Sequence, residues 1–216
     1  MSGPDTATDA DDEPDIGGRD IHRAVADLPE ATIVGRAQDG DLAAFEELNR
    51  RYQGPLYRLA VRLLADRGEA EDALQDTMVA VWRKLPSLTD LPAFHGWIYQ
   101  IMTRRCMSVL RTRARRSTDP VDSDAMVEVA GDGSVLGTGS GSPDPAAATE
   151  YAEQLRGLNE ELAKLPDEQR VCWVLKEFHE LSYPEIAYAI NLPVSTVRGR
   201  IARARQNLAR GMEAWR

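Results

Sequence analysis

Apolar residues recur along this chain at three- and four-residue intervals, a spacing that predicts helices nearly throughout and an all-α protein. Asp41 suits the N-cap of a helix that puts Leu42, Phe45 and Leu48 on one face. After Gly54-Pro55 the next apolar face carries Leu56, Leu59, Ala60, Leu63 and Leu64, and Asp66-Arg67-Gly68 reads as a turn. A third helix buries Leu74, Met78, Val81 and Leu85, which leaves Asp72, Gln75, Asp76 and Val79 together on a different face. Pro86 ends it, residues 87–93 form a loop, and a fourth helix starts near Phe94 with Trp97, Ile98, Ile101, Met102, Val109 and Leu110 as its apolar positions.

The pattern resumes at Tyr151, with Leu155, Leu158, Leu162 and Leu165 continuing one stripe. Pro166-Asp167 opens a further helix that bears Val171, Val174, Leu175 and Phe178. Residues 182–208 then predict two helices and a tight turn. Ser182 and Glu185 have the spacing of a reciprocal N-terminal cap, with Pro184 harmless in the first turn. Asn191-Leu192-Pro193 breaks the first helix, because Asn tolerates left-handed backbone and Pro cannot extend a helix. The second helix has Val194, Val197, Ile201, Ala204 and Leu208 in one stripe, with Arg198, Arg200, Arg203 and Arg205 off it. Such a helix packs one side on its own domain and lays the other against phosphates and base edges, or else presents a solvated basic face.

Charge changes the picture once it is divided. The chain has 216 residues and a formal charge of −9, an unlikely balance for a nucleic-acid binder taken whole. Residues 1–30 hold nine acidic and two basic side chains, and residues 117–150 hold seven acidic and none basic, so each segment is at −7. The rest therefore stands near +5. Composition makes residues 1–30 an acidic tail too poor in apolar residues to fold, apart from a weak helical patch near Ile21 and Leu28. The Gly-, Ser- and Asp-rich residues 117–150 read as a flexible linker. Two small helical domains result, at 31–116 and 151–216.

Cys106 and Cys172 share no metal-ligand spacing and are expected as reduced, buried thiols of a cytoplasmic protein. His22, His95 and His179 stand apart in sequence, and neither a catalytic triad nor a glycine-rich phosphate loop is legible. No enzyme activity, cofactor, metal or small-molecule substrate is expected. The first residues have neither a basic nor an apolar region of a secretion signal, and no apolar run is long enough to insert into a membrane.

The motifs resemble those of a known family. The run from Asp41 to Leu48, Glu71-Asp72-Ala73-Leu74-Gln75-Asp76-Thr77, Trp82, and Phe94 with Trp97 are similar to the first domain of bacterial extracytoplasmic-function sigma factors. Leu165-Pro166 with Arg170, Leu181-Ser182-Tyr183 with Glu185-Ile186-Ala187, and Thr196-Val197 with Arg200 and Arg203-Ala204-Arg205 resemble the second. The resemblance implies a transcription initiation factor that attaches to core RNA polymerase through the clamp helices and flap and supplies promoter recognition. It assigns Asp72, Gln75, Asp76 and Val79 to the clamp helices of the largest subunit. It assigns Ser87, Leu88, Thr89 and Asp90 to capture of an unstacked minus-ten base, with Arg104, Arg105 and Arg111 on the phosphates of melted promoter DNA. Thr196, Arg198, Gly199, Ala202 and Arg203 fall where the family touches the minus-35 element. An anti-sigma factor is a common partner in the family.

Two positions depart from the pattern: Arg104 stands where the family usually has Asn, and Ser108 where it has Asp. An added arginine shifts weight from base reading to phosphate contact. Promoter elements about two helical turns apart lie ~70 Å from one another. The linker spans at most ~110 Å extended and ~32 Å as a relaxed coil, so a scaffold must hold the domains apart. In family members the linker threads the channel of nascent RNA; here seven carboxylates in it suit an RNA stand-in, or an inert spacer. The rival function is a stand-alone operator-binding helix-turn-helix regulator, which predicts tight duplex binding without polymerase.

Overall fold

The computed structural model describes residues 24–118 and 157–212. Its helices are α1 (Glu30–Gln38), α2 (Leu42–Leu64), α3 (Arg67–Lys84), α4 (Phe94–Thr118), α5 (Asp167–Glu177), α6 (Tyr183–Ile190) and α7 (Val194–Met212). Short 3-10 turns at Leu85–Ser87 and Leu91–Ala93 join α3 to α4, and residues 157–164 are also helical. No strand occurs among the described residues, so the all-α class holds. Most of the acidic tail and of the linker lies outside the described residues, as do Tyr151 and Leu155.

Local chemistry sets the helix ends. The Asp41 carboxylate accepts the Ala44 N–H at 3.1 Å, and Asp66 accepts that of Glu69 at 2.8 Å. Asp66 thus caps α3 rather than sitting in a three-residue turn; the chain reverses at Ala65, whose φ is 53°. Pro86 lies in the turn that follows α3.

Three features of the first bundle differ from the sequence pattern. Pro55 does not divide the chain into two helices but lies inside α2. An interior proline forfeits a hydrogen bond and costs about 3 kcal/mol. Buried Leu48 and Tyr52 before it and Leu56, Leu59 and Leu63 after it hold the helix together across the break. Leu42 is 60% exposed, so the buried face of α2 begins at Ala44. In α3 the deep stripe is Ala70, Ala73, Thr77 and Val81, with Leu74 and Met78 only half-buried. Small side chains let α3 approach α2 and α4 closely, and the Thr77 hydroxyl donates to Met102 Sδ at 3.2 Å.

The stretch from Ala24 to Glu30, placed in the tail by composition, belongs to the fold. Val25 is buried, Arg51 donates to the Ala26 carbonyl at 2.7 Å, and the Tyr52 hydroxyl donates to Glu30 at 2.6 Å. A 30-residue average hides two anchoring contacts near its end.

In the second bundle α7 packs on α5 and α6. Val197, Ile201, Ala204 and Leu208 are buried, as the stripe predicts. A Cβ on Gly211 would run into the Glu161 carboxylate, so a larger residue there would have to push that side chain aside. Cys106 and Cys172 are both free and buried; burial pushes their thiols up to about 12 and about 11 respectively.

The two bundles touch. Helix α4 packs against α6 and α2 against α5, and their buried apolar residues form one continuous cluster. Helical periodicity places residues on faces but carries no signal of which outward face meets another domain.

Candidate nucleic-acid and partner interfaces

The face assigned to polymerase is formed. Asp72, Gln75, Asp76 and Val79 are all exposed along α3. Beside them Trp82 is 45% exposed, and its ring meets Phe45 of α2 edge-on at 4.6 Å between centroids. Trp82 stands three residues beyond Val79 and so extends the same face. An aromatic amid carboxylates suits a basic, partly apolar helical partner. Its i,i+3 relation to Val79 is the sequence signal that puts Trp82 on this face, beyond its place among the family motifs.

The loop assigned to the minus-ten base is held from beneath. Gln38 of α1 donates through Nε2 to the carbonyls of Leu85 at 2.8 Å and Leu88 at 2.6 Å. The Ser87 hydroxyl donates to the Lys84 carbonyl at 2.7 Å, while the Thr89 and Asp90 side chains are exposed. The partly buried Leu88 packs against the core and serves as an anchor of the loop. Trp97 is also half-buried against that core, in keeping with its spacing. Gln38 is the positioning residue that sequence could not supply: its loop partners lie 47 and 50 residues away.

The arginines of α4 divide by partner. Arg104 and Arg111 are exposed, as is Ser108. Arg105 forms an ion pair with Asp76, joining the helix assigned to DNA with the face assigned to polymerase. Arg113 donates to the Leu64 carbonyl at 2.7 Å and pairs with Glu69, so it ties α4 to the end of α2.

The helix-turn-helix follows its local code. Ser182 and Glu185 make the reciprocal cap, with the Glu185 N–H donating to Ser182 Oγ at 3.3 Å and the Ser182 N–H to Glu185 at 2.7 Å. These bonds hold the Glu185 carboxyl below its usual range. Asn191 closes α6 in left-handed backbone at φ 55°.

On α7 the arginines do not form one free basic face. Arg200 pairs with Glu168, and Arg205 with Glu177 at 2.6 Å, both back to α5. Arg198 and Arg203 remain exposed; Arg198 lies over the Tyr183 ring at 5.3 Å, and Arg203 Nε donates to the Gly199 carbonyl at 3.2 Å. Ala202 is exposed with them, while Thr196 and Gly199 are half-buried. The set expected at the minus-35 element is therefore gathered on the open side of α7; of the three arginines outside that set, Arg200 and Arg205 are held by carboxylates, and Arg210 bonds Asn207 Oδ1 of its own helix.

Two of the three histidines, apart in sequence, come together at the Tyr99 ring. Its centroid is 4.8 Å from that of His95 and 4.9 Å from that of His179. Tyr99 Oη lies 3.0 Å from His179 Nδ1. Burial, with Arg62, Arg58 and His95 nearby, lowers the His179 imidazole to about 3. No group of three or more metal-ligating side chains occurs among the described residues, and none of their helices is long and apolar enough to cross a membrane.

Comparison with known proteins identifies the family. Residues 48–116 match sigma-70 region 2, and residues 155–208 match sigma-70 region 4. The chain is 34% identical over 185 residues to the RNA polymerase sigma-H factor of Pseudomonas aeruginosa, covering 84% of this chain and 92% of that protein. It is 31% identical over 180 residues to the ECF RNA polymerase sigma-E factor of Haemophilus influenzae, covering 83% and 93%. Among solved structures, CnrH in complex with the cytosolic domain of CnrY shares the fold with a TM-score of 0.60 at 24% identity, over 86% of this chain and 97% of that one. The sigma factor RpoE bound to the anti-sigma factor NepR from Bartonella quintana gives 0.57 at 23%, over 80% and 98%. An acidic–aromatic helix face, a pinned loop before a basic helix and a capped helix-turn-helix thus occur in one chain in the order of regions 2 and 4, and the chain belongs to the extracytoplasmic-function sigma factors of the sigma-70 family, promoter-specific factors for transcription initiation.

Proposed function

We propose that this chain, a non-enzymatic cytoplasmic factor, joins core RNA polymerase through Asp72, Gln75, Asp76, Val79 and Trp82 of α3. The loop of Ser87, Leu88, Thr89 and Asp90 takes a flipped minus-ten base, and Arg104, Arg105 and Arg111 hold the phosphates of the melted strand. Thr196, Arg198, Gly199, Ala202 and Arg203 read the minus-35 duplex. Gly199 and Ala202 present little side chain, so groove shape and close backbone approach contribute there. The sigma–anti-sigma complex among its structural relatives supports an anti-sigma partner for this chain as well.

The observation that carries this reading is the division of charge on α7: carboxylates hold Arg200 and Arg205 against α5, and Arg198 and Arg203 stay open. A stand-alone operator binder accounts for that helix but leaves the exposed acidic–aromatic face of α3 without a role. The test is run-off transcription with purified core polymerase on genomic fragments. The wild-type chain directs initiation at discrete start sites, and Asp76→Arg abolishes it while leaving minus-35 duplex binding intact. Co-purification of Asp76→Arg with core at wild-type yield refutes the assignment of that face.

A further inference from the structure

The loop that follows α3 is fixed by a residue outside the proposed DNA-reading sets. Gln38, the last residue of α1, sends its side-chain amide to two main-chain carbonyls of the loop, Leu85 at 2.8 Å and Leu88 at 2.6 Å. Both partners are acceptors, so the amide nitrogen faces them and each of its two hydrogens has one target. The Leu85 carbonyl also accepts the Leu88 N–H at 3.0 Å. One side chain thus clamps both ends of the turn that leads into Thr89 and Asp90, whose own side chains are exposed. Helix α1 reaches the far end of the loop as well. It packs on the turn at Leu91–Ala93, where a Cβ on Gly35 would meet Leu91 Cδ1 at 3.5 Å.

Helix α1 is itself held still. Ile33 and Val34 are buried in the core. At the end of the helix Gly40 takes φ 90°, and the Asp41 N–H returns to the Arg36 carbonyl at 3.0 Å, a helix stop that favours glycine. The Asp41 carboxylate serves both helices at this corner. One oxygen accepts the Ala44 N–H that opens α2, and the other accepts Arg36 Nε at 2.7 Å. The Gln38 amide therefore acts from a fixed point. A loop set in one shape before the strand arrives loses less freedom on binding, and it excludes bases that a looser loop would rearrange to admit.

We infer that Gln38 is a specificity-determining residue for the minus-ten element, a positioning residue that acts through the loop and not by touching DNA. It holds residues 85–88 so that Leu88, Thr89 and Asp90 present one pocket shape, and the base accepted there depends on α1 as well as on the loop. The inference rests on the loop assignment proposed above. Losing the clamp relaxes the choice of base instead of weakening promoter use uniformly. Releasing both hydrogen bonds costs about tenfold in discrimination, the fold-change that two such bonds represent net of water.

The test is transcription by the full chain with purified core polymerase from a promoter library randomised across the minus-ten element, with the base preference read at each position. Gln38→Glu keeps the shape of the side chain and removes both donors. It should lower the preference for the favoured base at one position by about tenfold, while the chain co-purifies with core at wild-type yield. Gln38→Lys, whose ammonium can donate to both carbonyls, should restore much of that preference; the ratio between bases cancels its added charge. Gly35→Leu, which presses on Leu91 from the same helix, should shift preference at the same position, and it stands in should Gln38→Glu fail to fold. Thr89→Ala and Asp90→Ala mark the position that the loop reads. A uniform fall across all bases, or an unchanged profile, in the folded α1 variants overturns the inference, and the loop assignment stands if either loop variant shifts a position. If neither loop variant shifts any position, the loop assignment is refuted and the inference falls with it.

Discussion

His179 offers a sharp test of how the two bundles are held. The imidazole is buried against Tyr99 of α4, with His95 of α4 and Arg58 and Arg62 of α2 nearby, and it ionises only at about 3 rather than at its ordinary 6.5. Burial opposes its protonation most, and the Arg62 and Arg58 guanidiniums add to that effect. A lowered histidine makes the opened or unfolded state bind the extra proton first. Stability is therefore fully present above about 6.5 and is progressively lost as pH falls from there toward about 3. At pH 5 the loss comes to about 2 kcal/mol, from roughly 1.5 pH units at 1.36 kcal/mol each. That corresponds to a drop of ~4–8 °C in melting temperature for a chain of this size. Asp41, Glu47 and Glu185 are held below the usual carboxylate range by their hydrogen bonds, so they stay ionised between pH 7 and pH 5 and do not confuse the comparison. The assay is urea and thermal unfolding at pH 7 and pH 5 for the wild type and for His179→Gln, which keeps a neutral polar group. The wild type should lose about 2 kcal/mol more than the variant over that interval. Equal losses would refute the argument that His179 is neutral because the contact between the two bundles buries it.

Four further outcomes follow from the charge distribution and the packing. Arg203→Ala should weaken minus-35 duplex binding and reduce the salt slope by about one, measured by fluorescence anisotropy over a salt series. Arg200→Ala should leave that slope nearly unchanged, because its guanidinium is held by Glu168 on α5. Removing residues 1–23, which carry a net charge of −5, should raise promoter-duplex affinity by relieving competition with phosphates; a cut at residue 30 should instead destabilise the first bundle, because it deletes buried Val25 and the Ala26 carbonyl that Arg51 uses.

Much of this protein is legible in local sequence. The Ser182–Glu185 cap, the left-handed Asn191 and the Val197–Ile201–Ala204–Leu208 stripe depend on residues within one or two turns of each other, where side-chain reach and helix period leave few alternatives. The exposure of Asp72, Gln75, Asp76 and Val79 follows from the same period. Pro55 shows where local rules fail: its intrinsic cost is a few kcal/mol, and the burial of residues on both sides of it outweighs that cost.

The pairing of outward-facing groups was decided only by the tertiary structure. Sequence separates Gln38 from the loop it holds by 47 and 50 residues, Arg200 from Glu168 by 32, and Gln100 from the Tyr188 carbonyl, to which it donates, by 88. A helical repeat determines which side of a helix is apolar, because every residue on that side has the same need to leave water. It cannot determine which polar group meets which, because a guanidinium or an amide is satisfied equally well by water, by a phosphate or by a distant side chain, and only the packed chain selects among them.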